Sequence, residues 1–464
     1  MDAPANELLR AIPSVGEVLA SAGVKELCEE FGAGVVKMEL RGLLEDIRGE
    51  IRGGKRAEVD EERLAGELRA RLVRLTSPVG RRAINATGIM LHTGLGRSPL
   101  CREAVAAVAG GCNYSVLQAS LESGDRSLRE EKIQRMLVEL VGCEAATIVN
   151  NNAAATMLIL NTMAKGKEVI ISRGQLIEIG GSFRMTEVMG QSGAVLREVG
   201  TTNRTHLRDY EQAINENTGA IIHVHTSNYR IRGFTGTPEV KELCELGRRR
   251  SIPVMDDLGS GAIVPLKEFG ISDEPLVRDS IAAGSEVVCF SGDKLICGPQ
   301  AGIICGKKGW IEKIRKNPFA RMFRVCKLTL AGMEATLPHF LNGTFREGIP
   351  FYRMLARKVE DLAKDAERVV EGLKGIEGLS AGIGDDVAYV GSGSIPDEGV
   401  ASRVVRIAHQ KIAADEVGRR LRMGIPSVFG RLQDRQVVLD MRTLLAGEVE
   451  MVVEAVKDAV GRGK

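Results

Sequence analysis

CFSGDKLICGPQAG, residues 289–302, runs from an apolar strand through Ser291 to Lys294 and then into a glycine-proline turn. A lysine at a strand end, inside an apolar core, is a poor place for an unpaired charge. It suits an amine that must be neutral to form a Schiff base. Alone, such a lysine reads more readily as a surface residue of a strand-to-helix loop, so its neighbours decide. Outward from it lie the short apolar runs EVIIS (168–172), AVLREVG (194–200), AIIHVH (220–225), IPVMDD (252–257), EVVCFS (286–291) and AGIICG (301–306). Helical segments separate them. That alternation predicts βαβ units and a largely parallel sheet, an α/β fold.

Three further pieces stand at the ends of such runs. IPVMDDLGSG, 252–261, closes a strand with Asp256-Asp257. A carboxylate at the C-terminal edge of a parallel strand points into the crevice where α/β proteins bind ligands. An anion there is what the ring nitrogen of pyridoxal phosphate requires, and the P-V-x-x-D spacing favours Asp257 over Asp256. VNNNAAATMLIL, 149–160, passes from a strand end into a helix start at Asn151, Asn152 and Ala153, where free amides can hold a phosphate. HVHTSNY, 223–229, offers Ser227 and Asn228 at another strand end. Read in chain order, these are a phosphate cradle, a hydrogen-bonding strand end, an aspartate and a lysine. The layout resembles that of fold-type I pyridoxal-phosphate enzymes of the aminotransferase-like kind.

The remaining composition narrows the partners. With 464 residues, two to four domains are expected. Lys plus Arg total 63 against 61 Asp plus Glu, a net charge of +2, which excludes binding of any polyanion by bulk charge. One Trp, five Tyr and eleven Phe argue against gripping nucleic acid by base stacking. Nine Cys without CxxC spacing and only six His support neither a metal site nor a disulfide framework. The start, MDAPANELLRAIPSV, lacks the look of a signal peptide, and no apolar run is long enough for a membrane span, so a cytoplasmic protein is expected.

Three domains are expected. Residues 1–80 read as helices: Leu8, Leu9, Ile12, Val15, Val18 and Leu19 recur at helical steps, and 35–54 and 59–75 form two further stretches. Ser77-Pro78-Val79-Gly80 reads as a linker. Residues 81–340 form the catalytic core. Residues 341–464 read as a small α+β domain, with one long helix over 352–376 and short strands in DVAYVGSGSI (386–395), SRVVRIA (402–408) and RQVVLDMRTL (435–444).

Together INATGIMLHTGLGR (84–97), IVNNNAAA, SRGQLIEIGGSFR (172–184), EVGTTNRTH (198–206), HTSNY, DLGSG, FSGDKLICGPQAG and the GSGSIP at 391–396 closely resemble the bacterial selenocysteine synthases, the L-seryl-tRNA(Sec) selenium transferases. The resemblance covers nearly the whole chain. It implies a pyridoxal-phosphate enzyme that converts seryl-tRNA(Sec) to selenocysteinyl-tRNA(Sec) through an aminoacrylyl-tRNA, with selenophosphate as donor, in a ring-shaped homodecamer. It implies Lys294 as the Schiff-base lysine, Asp257 as partner of the ring nitrogen, and Ser291 as a phosphate ligand beside Asn151-Asn152-Ala153. Asp293 would assist proton transfer, with His92 in the same active-site segment. Arg97, Arg321 and Arg324 would form a basic cluster for selenophosphate, and the N-terminal helices would recognise tRNA(Sec). Arg63, Arg69, Arg71, Arg74, Arg81 and Arg82 offer a partial basic face there, interrupted by Glu67. Cys297 stands where the family often has glycine and reads as a small packed residue. The rival reading is a related lyase or transferase acting on a small amino acid or sugar acid, which would share Lys294 and Asp257 without needing the N-terminal helices.

Overall fold

The computed structural model describes residues 3–54, 60–76, 80–181, 183–271, 274–391 and 394–461. They fall into two compact units, 1–82 and 83–464. Ser77-Pro78-Val79 of the expected linker, and Ser392-Gly393 of the GSGSIP segment, lie outside the described residues.

In the first unit five helices, Ala3–Arg10, Val15–Ala20, Ala22–Phe31, Ala33–Arg52 and Glu61–Thr76, stand where three stretches were expected. One extra break falls at 11–14, where Ser14 caps the second helix by accepting from the Glu17 amide, and another at Ser21, whose amide and hydroxyl both turn back to the Val18 carbonyl. Val36, Leu40, Leu43, Leu44, Ile47 and Ile51, spaced at three and four residues, bury one stripe of the longest helix against Leu64, Leu68 and Leu72. Three of the six arginines of the expected basic face are paired within the unit. Arg63 pairs with Glu67 at 3.0 Å, Arg69 with Glu30 at 2.9 Å and Arg71 with Asp46 at 2.6 Å.

The second unit is built on a seven-stranded sheet. Its strands are β1 (Ala145–Val149), β2 (Glu168–Ser172), β3 (Val195–Val199), β4 (Thr218–Val224), β5 (Val254–Gly259), β6 (Val287–Ser291) and β7 (Gly302–Gly306). Their spatial order is β1-β7-β6-β5-β4-β2-β3, and only β7 runs against its neighbours. The six expected runs are all strands, and β1 adds a seventh. Alternate residues of the central strands enter two different cores: Ile148, Val288, Phe290 and Ile303 pack on one face, and Val149, Ile222, Met255, Cys289 and Ile304 on the other. Burial on both faces is why these runs read as nearly continuous apolar sequence.

A four-stranded antiparallel sheet follows, containing Leu379–Gly391, Ser394–His409, Gln436–Asp440 and Arg431–Gln433. The expected short strands 386–395 and 402–408 are parts of one long hairpin. The long helix expected over 352–376 is corrected to two, Pro350–Ala356 and Val359–Gly372, separated by extended Arg357 and Lys358. The reason is tertiary. Buried Arg442 donates to the carbonyls of Met354 at 2.7 Å and Arg357 at 3.0 Å, which closes the first helix with a side chain. Residues 83–97 join this sheet to the larger one. Ala83–Asn85 pairs with Ser427–Phe429, and the amides of Met90 and Leu91 then bond the carbonyls of Tyr389 and Val390. Gly88 has a positive φ, and any Cβ there would strike buried Asp440, so only glycine fits this crossing.

Candidate active site

The C-terminal ends of β1, β4, β5 and β6 meet at one sheet edge, the usual ligand crevice of an α/β fold. Lys294 follows β6 and is only 6 % exposed. Burial, helped by nearby Arg97, pushes its amine below the usual lysine range, while Asp257, Asp293 and Glu274 pull the other way. Burial thus shifts the amine toward the neutral form that a nucleophilic or proton-accepting lysine needs.

Asp257 is sealed in β5, one residue after Asp256, and pleating sends the two to opposite faces. Asp256 bonds His223 Nδ1 at 2.8 Å and the Ser280 hydroxyl. Asp257 faces the Asn152–Ala164 helix. It accepts from Asn152 Nδ2 at 2.7 Å, from the Thr156 hydroxyl at 2.8 Å and from the Gly259 amide at 3.0 Å. Burial raises its pKa, and these three donors hold it down. Asn152 and Thr156 are four apart on that helix and so reach the same carboxylate.

The residues read from the sequence are distributed as follows. Asn151 caps its own helix, its Oδ1 accepting from the Ala154 amide at 2.9 Å. Asn152 serves Asp257, and the first-turn amides of Asn152 and Ala153 have no partner within the helix. Gly302 lets β7 pass against Asn151, where a Cβ would lie 2.2 Å from its carbonyl oxygen. Ser291 ends β6, buried. Ser227 is buried with its hydroxyl unpartnered, and Asn228 donates to the Glu178 carbonyl at 2.9 Å while its Oδ1 is unpartnered. His92 is half-buried, its Nδ1 is sealed without a partner, and burial lowers its pKa, so the imidazole is held neutral. Arg97, with φ 64°, closes a turn onto the His92 carbonyl at 3.0 Å and pairs with Asp293 at 2.5 Å.

Arg97 is thus joined to Asp293, and no contact ties it to Arg321 or Arg324. Those two are exposed and line a cavity with Arg129, Arg315 and Val149, at the outlet of β1. The Asn150 amide bonds the Phe323 carbonyl at 2.8 Å, which fixes their segment beside the Asn151 helix start. The like charge of Arg324 adds to burial in lowering the pKa of Arg129. Cys297 is fully buried, its thiol lies 3.2 Å from the Lys294 carbonyl, and burial pushes its pKa up. Its φ of 61° accounts for glycine being suited to that position.

Sequence reasoning missed His225 and Glu274. His225 continues β4, and its amide bonds the Asp257 carbonyl at 2.8 Å. Its place in HVHTSNY was the available signal. Glu274 stands in the polar stretch ISDEP, which as sequence carries no signal. Apart from this site, Cys101, Glu103 and His339 gather within 4.8 Å, but both imidazole nitrogens are already engaged, by Thr344 at 3.0 Å and Glu103 at 3.1 Å.

Unpartnered, sealed polar atoms concentrate here: Asn152 Oδ1, Ser227 Oγ, Asn228 Oδ1, Asp293 Oδ1 and His92 Nδ1. Buried polar atoms are normally bonded, so such a set fits a site that takes a polar group bearing hydrogen-bond donors as well as acceptors. The sequence profile of the L-seryl-tRNA selenium transferase family matches residues 83–445, and the profile described as selenocysteine synthase N terminal matches 9–48.

The chain belongs to the L-seryl-tRNA selenium transferase family.

Family members named L-seryl-tRNA(Sec) selenium transferase share this length. The one from Carboxydothermus hydrogenoformans is 41 % identical over 450 residues, covering 96 % of each chain. The one from Aquifex aeolicus is 42 % identical over 453 residues, covering 97 % of this chain and 98 % of that one. Among solved structures, D-glucosaminate-6-phosphate ammonia-lyase superposes with a TM-score of 0.58 at 21 % identity, over 82 % of this chain and 96 % of that one. That likeness concerns the fold.

Proposed function

We propose that this protein converts L-seryl-tRNA(Sec) to L-selenocysteinyl-tRNA(Sec), with pyridoxal phosphate as cofactor and selenophosphate as selenium donor. The observation that carries the reading is the sealed Lys294 and Asp257 at neighbouring strand ends, in a chain matched almost end to end by enzymes of that name. The small-molecule rival leaves the match of residues 9–48 without a purpose.

Bound pyridoxal phosphate supplies an electron sink for charge developing at the α-carbon of an amino acid. Lys294 would carry it, and the same amine, its pKa lowered by burial, would take and return a proton at Nζ. Asp257 would face the ring nitrogen, with Asn152, Thr156 and the Gly259 amide favouring its ionised form. Ser291, Ser227, Asn228 and the amides of Asn152 and Ala153 are the groups we assign to the cofactor's polar edge and phosphate. Arg97 orients Asp293 beside Lys294, where that carboxylate can share in proton handling. His92, neutral, offers a hydrogen-bonding nitrogen from the same segment. Arg321 and Arg324, which among the described residues form no ion pair, are the exposed guanidinium forks we assign to selenophosphate. The unit 1–82 binds tRNA(Sec) through the backbone and shape of the RNA. Assembly is a homodecamer, in the cytoplasm; no helix of the described residues is long and apolar enough to cross a membrane.

The test is borohydride reduction of purified, cofactor-loaded protein followed by peptide mapping. The cofactor should be trapped on the peptide containing Lys294. Trapping on another lysine, or none, would refute the assignment.

A further inference from the structure

The long hairpin of the four-stranded sheet carries the GSGSIP stretch, and its described residues touch both walls of the crevice. One contact comes from the strand Leu379–Gly391. Its Tyr389 and Val390 carbonyls accept from the amides of Met90 and Leu91 at 2.9 and 2.7 Å, just ahead of His92. Val390 is sealed in the same core as Met90 and Leu91, and a Cβ on Gly391 would strike the Ile89 side chain. This wall reaches the site through Arg97, which pairs with Asp293 beside Lys294.

The other contact comes from the strand Ser394–His409. Gly399 stands opposite Tyr389, and Glu398, next to it, accepts from Arg230 at 3.1 Å. The two side chains are 29 % (Arg230) and 18 % (Glu398) exposed, so water screens the pair only in part. Arg230 closes the run that follows β4. In that run the His225 amide bonds the Asp257 carbonyl at 2.8 Å, and Ser227 Oγ and Asn228 Oδ1 are sealed without partners. Residues 225–230 belong to no strand or helix, so a regular backbone ladder does not fix them. Side chains hold the run instead: Asn228 at the Glu178 carbonyl, Tyr229 at the Gly174 carbonyl and Arg230 at Glu398. Arg230 is the anchor on the hairpin.

Resting on the reading of this crevice as the cofactor site, we propose that the Arg230–Glu398 pair ties its two walls together through the hairpin. Arg230 and Glu398 are positioning residues, acting through the strand end that they hold. They set where Ser227 and Asn228 stand relative to the segment carrying His92 and Arg97, although the pair itself spans 168 positions of sequence and joins two sheets.

The test uses the full-length, cofactor-loaded protein with Arg230→Gln, Glu398→Gln and the double variant R230Q/E398Q. Glutamine removes each charge without adding a repulsion. Each single variant should release cofactor about two- to fivefold faster than wild type, the scale of a partly exposed ion pair. The His225 amide should exchange with solvent faster by a similar factor, because the run it begins is less firmly held. E398Q is the decisive variant, since its substitution lies in the other sheet and a merely local role would leave His225 unmoved. The double variant should match the single ones, as either substitution already breaks the pair. Arg230→Lys, which keeps the charge, should stay near wild type. Effects that multiply in the double variant, or a cofactor release rate and His225 amide unmoved by E398Q, overturn the proposal and leave the functional reading intact. Failure to trap cofactor on Lys294 in the wild type overturns the functional reading instead, and exchange of the His225 amide in E398Q still decides whether the tie exists.

Discussion

Replacing Asn152 with alanine removes one of three donors from a sealed carboxylate. The bond is 2.7 Å long, and Asp257 is only 3 % exposed, so water does not replace it. A hydrogen bond to a charged group is worth roughly 1.5–3 kcal/mol, and its loss falls on the ionised form alone. At 1.36 kcal/mol per pKa unit, the Asp257 pKa should rise by about 1–2 units. The ring-nitrogen partner must be ionised, so the acid limb of the pH profile of kcat/KM should move to higher pH by that amount, with the alkaline limb unchanged. Stability follows a definite sign. A carboxyl whose pKa is raised by folding binds more protons folded than unfolded, so its contribution falls as pH rises above the unfolded value. Asn152→Ala should therefore lose Tm more steeply with rising pH than the wild type. Selenocysteinyl-tRNA formation across a pH series, together with thermal melts in the same buffers, measures both. An acid limb that stays in place in a folded, cofactor-loaded variant would show that Asn152 does not govern Asp257.

Lys294→Ala should bind cofactor without covalent attachment, which absorbance and borohydride trapping will check. Arg97→Ala frees Asp293; loss of an oriented charged group in a dry site typically lowers kcat by about 10²–10³, and circular dichroism should show the fold unchanged. Arg321→Ala should impair selenium uptake more than loss of the seryl hydroxyl, measured as the two half-reactions separately; equal losses would point to a positioning role. Deleting residues 1–80 should keep the cofactor spectrum and abolish productive seryl-tRNA(Sec) binding. Because Arg63, Arg69 and Arg71 are already paired within the unit, the full chain's binding should show a shallow salt dependence, at roughly 0.7 per phosphate neutralised on single strands and 0.9 on duplex.

The strand ends were legible because burial on both faces turns each β-strand into an apolar run, and a polar residue ending such a run marks the crevice. Ser291, Lys294 and Asp257 stand out for that reason. The partners of Asp257 were partly legible: Asn152 and Thr156 share a helix face, but nothing in the sequence says which carboxylate that face meets. Arg97 was grouped with Arg321 and Arg324 by the family resemblance; its ion pair with Asp293, 196 positions away, could not be read from the sequence. The break at Arg357 was invisible for the same reason, since it depends on Arg442, 85 positions further on. Glu274 was hidden because a carboxylate beside a polar loop looks solvated until the fold closes Ser260 and His225 around it.

The most direct test of the central claim is to supply purified, cofactor-loaded protein with seryl-tRNA(Sec) and radiolabelled selenophosphate, then digest the tRNA product and identify its aminoacyl group. Labelled selenocysteine on the tRNA, absent with Lys294→Ala and not formed from free serine, is the predicted result. Turnover of free serine or another small amino acid, with seryl-tRNA(Sec) left untouched, would contradict it.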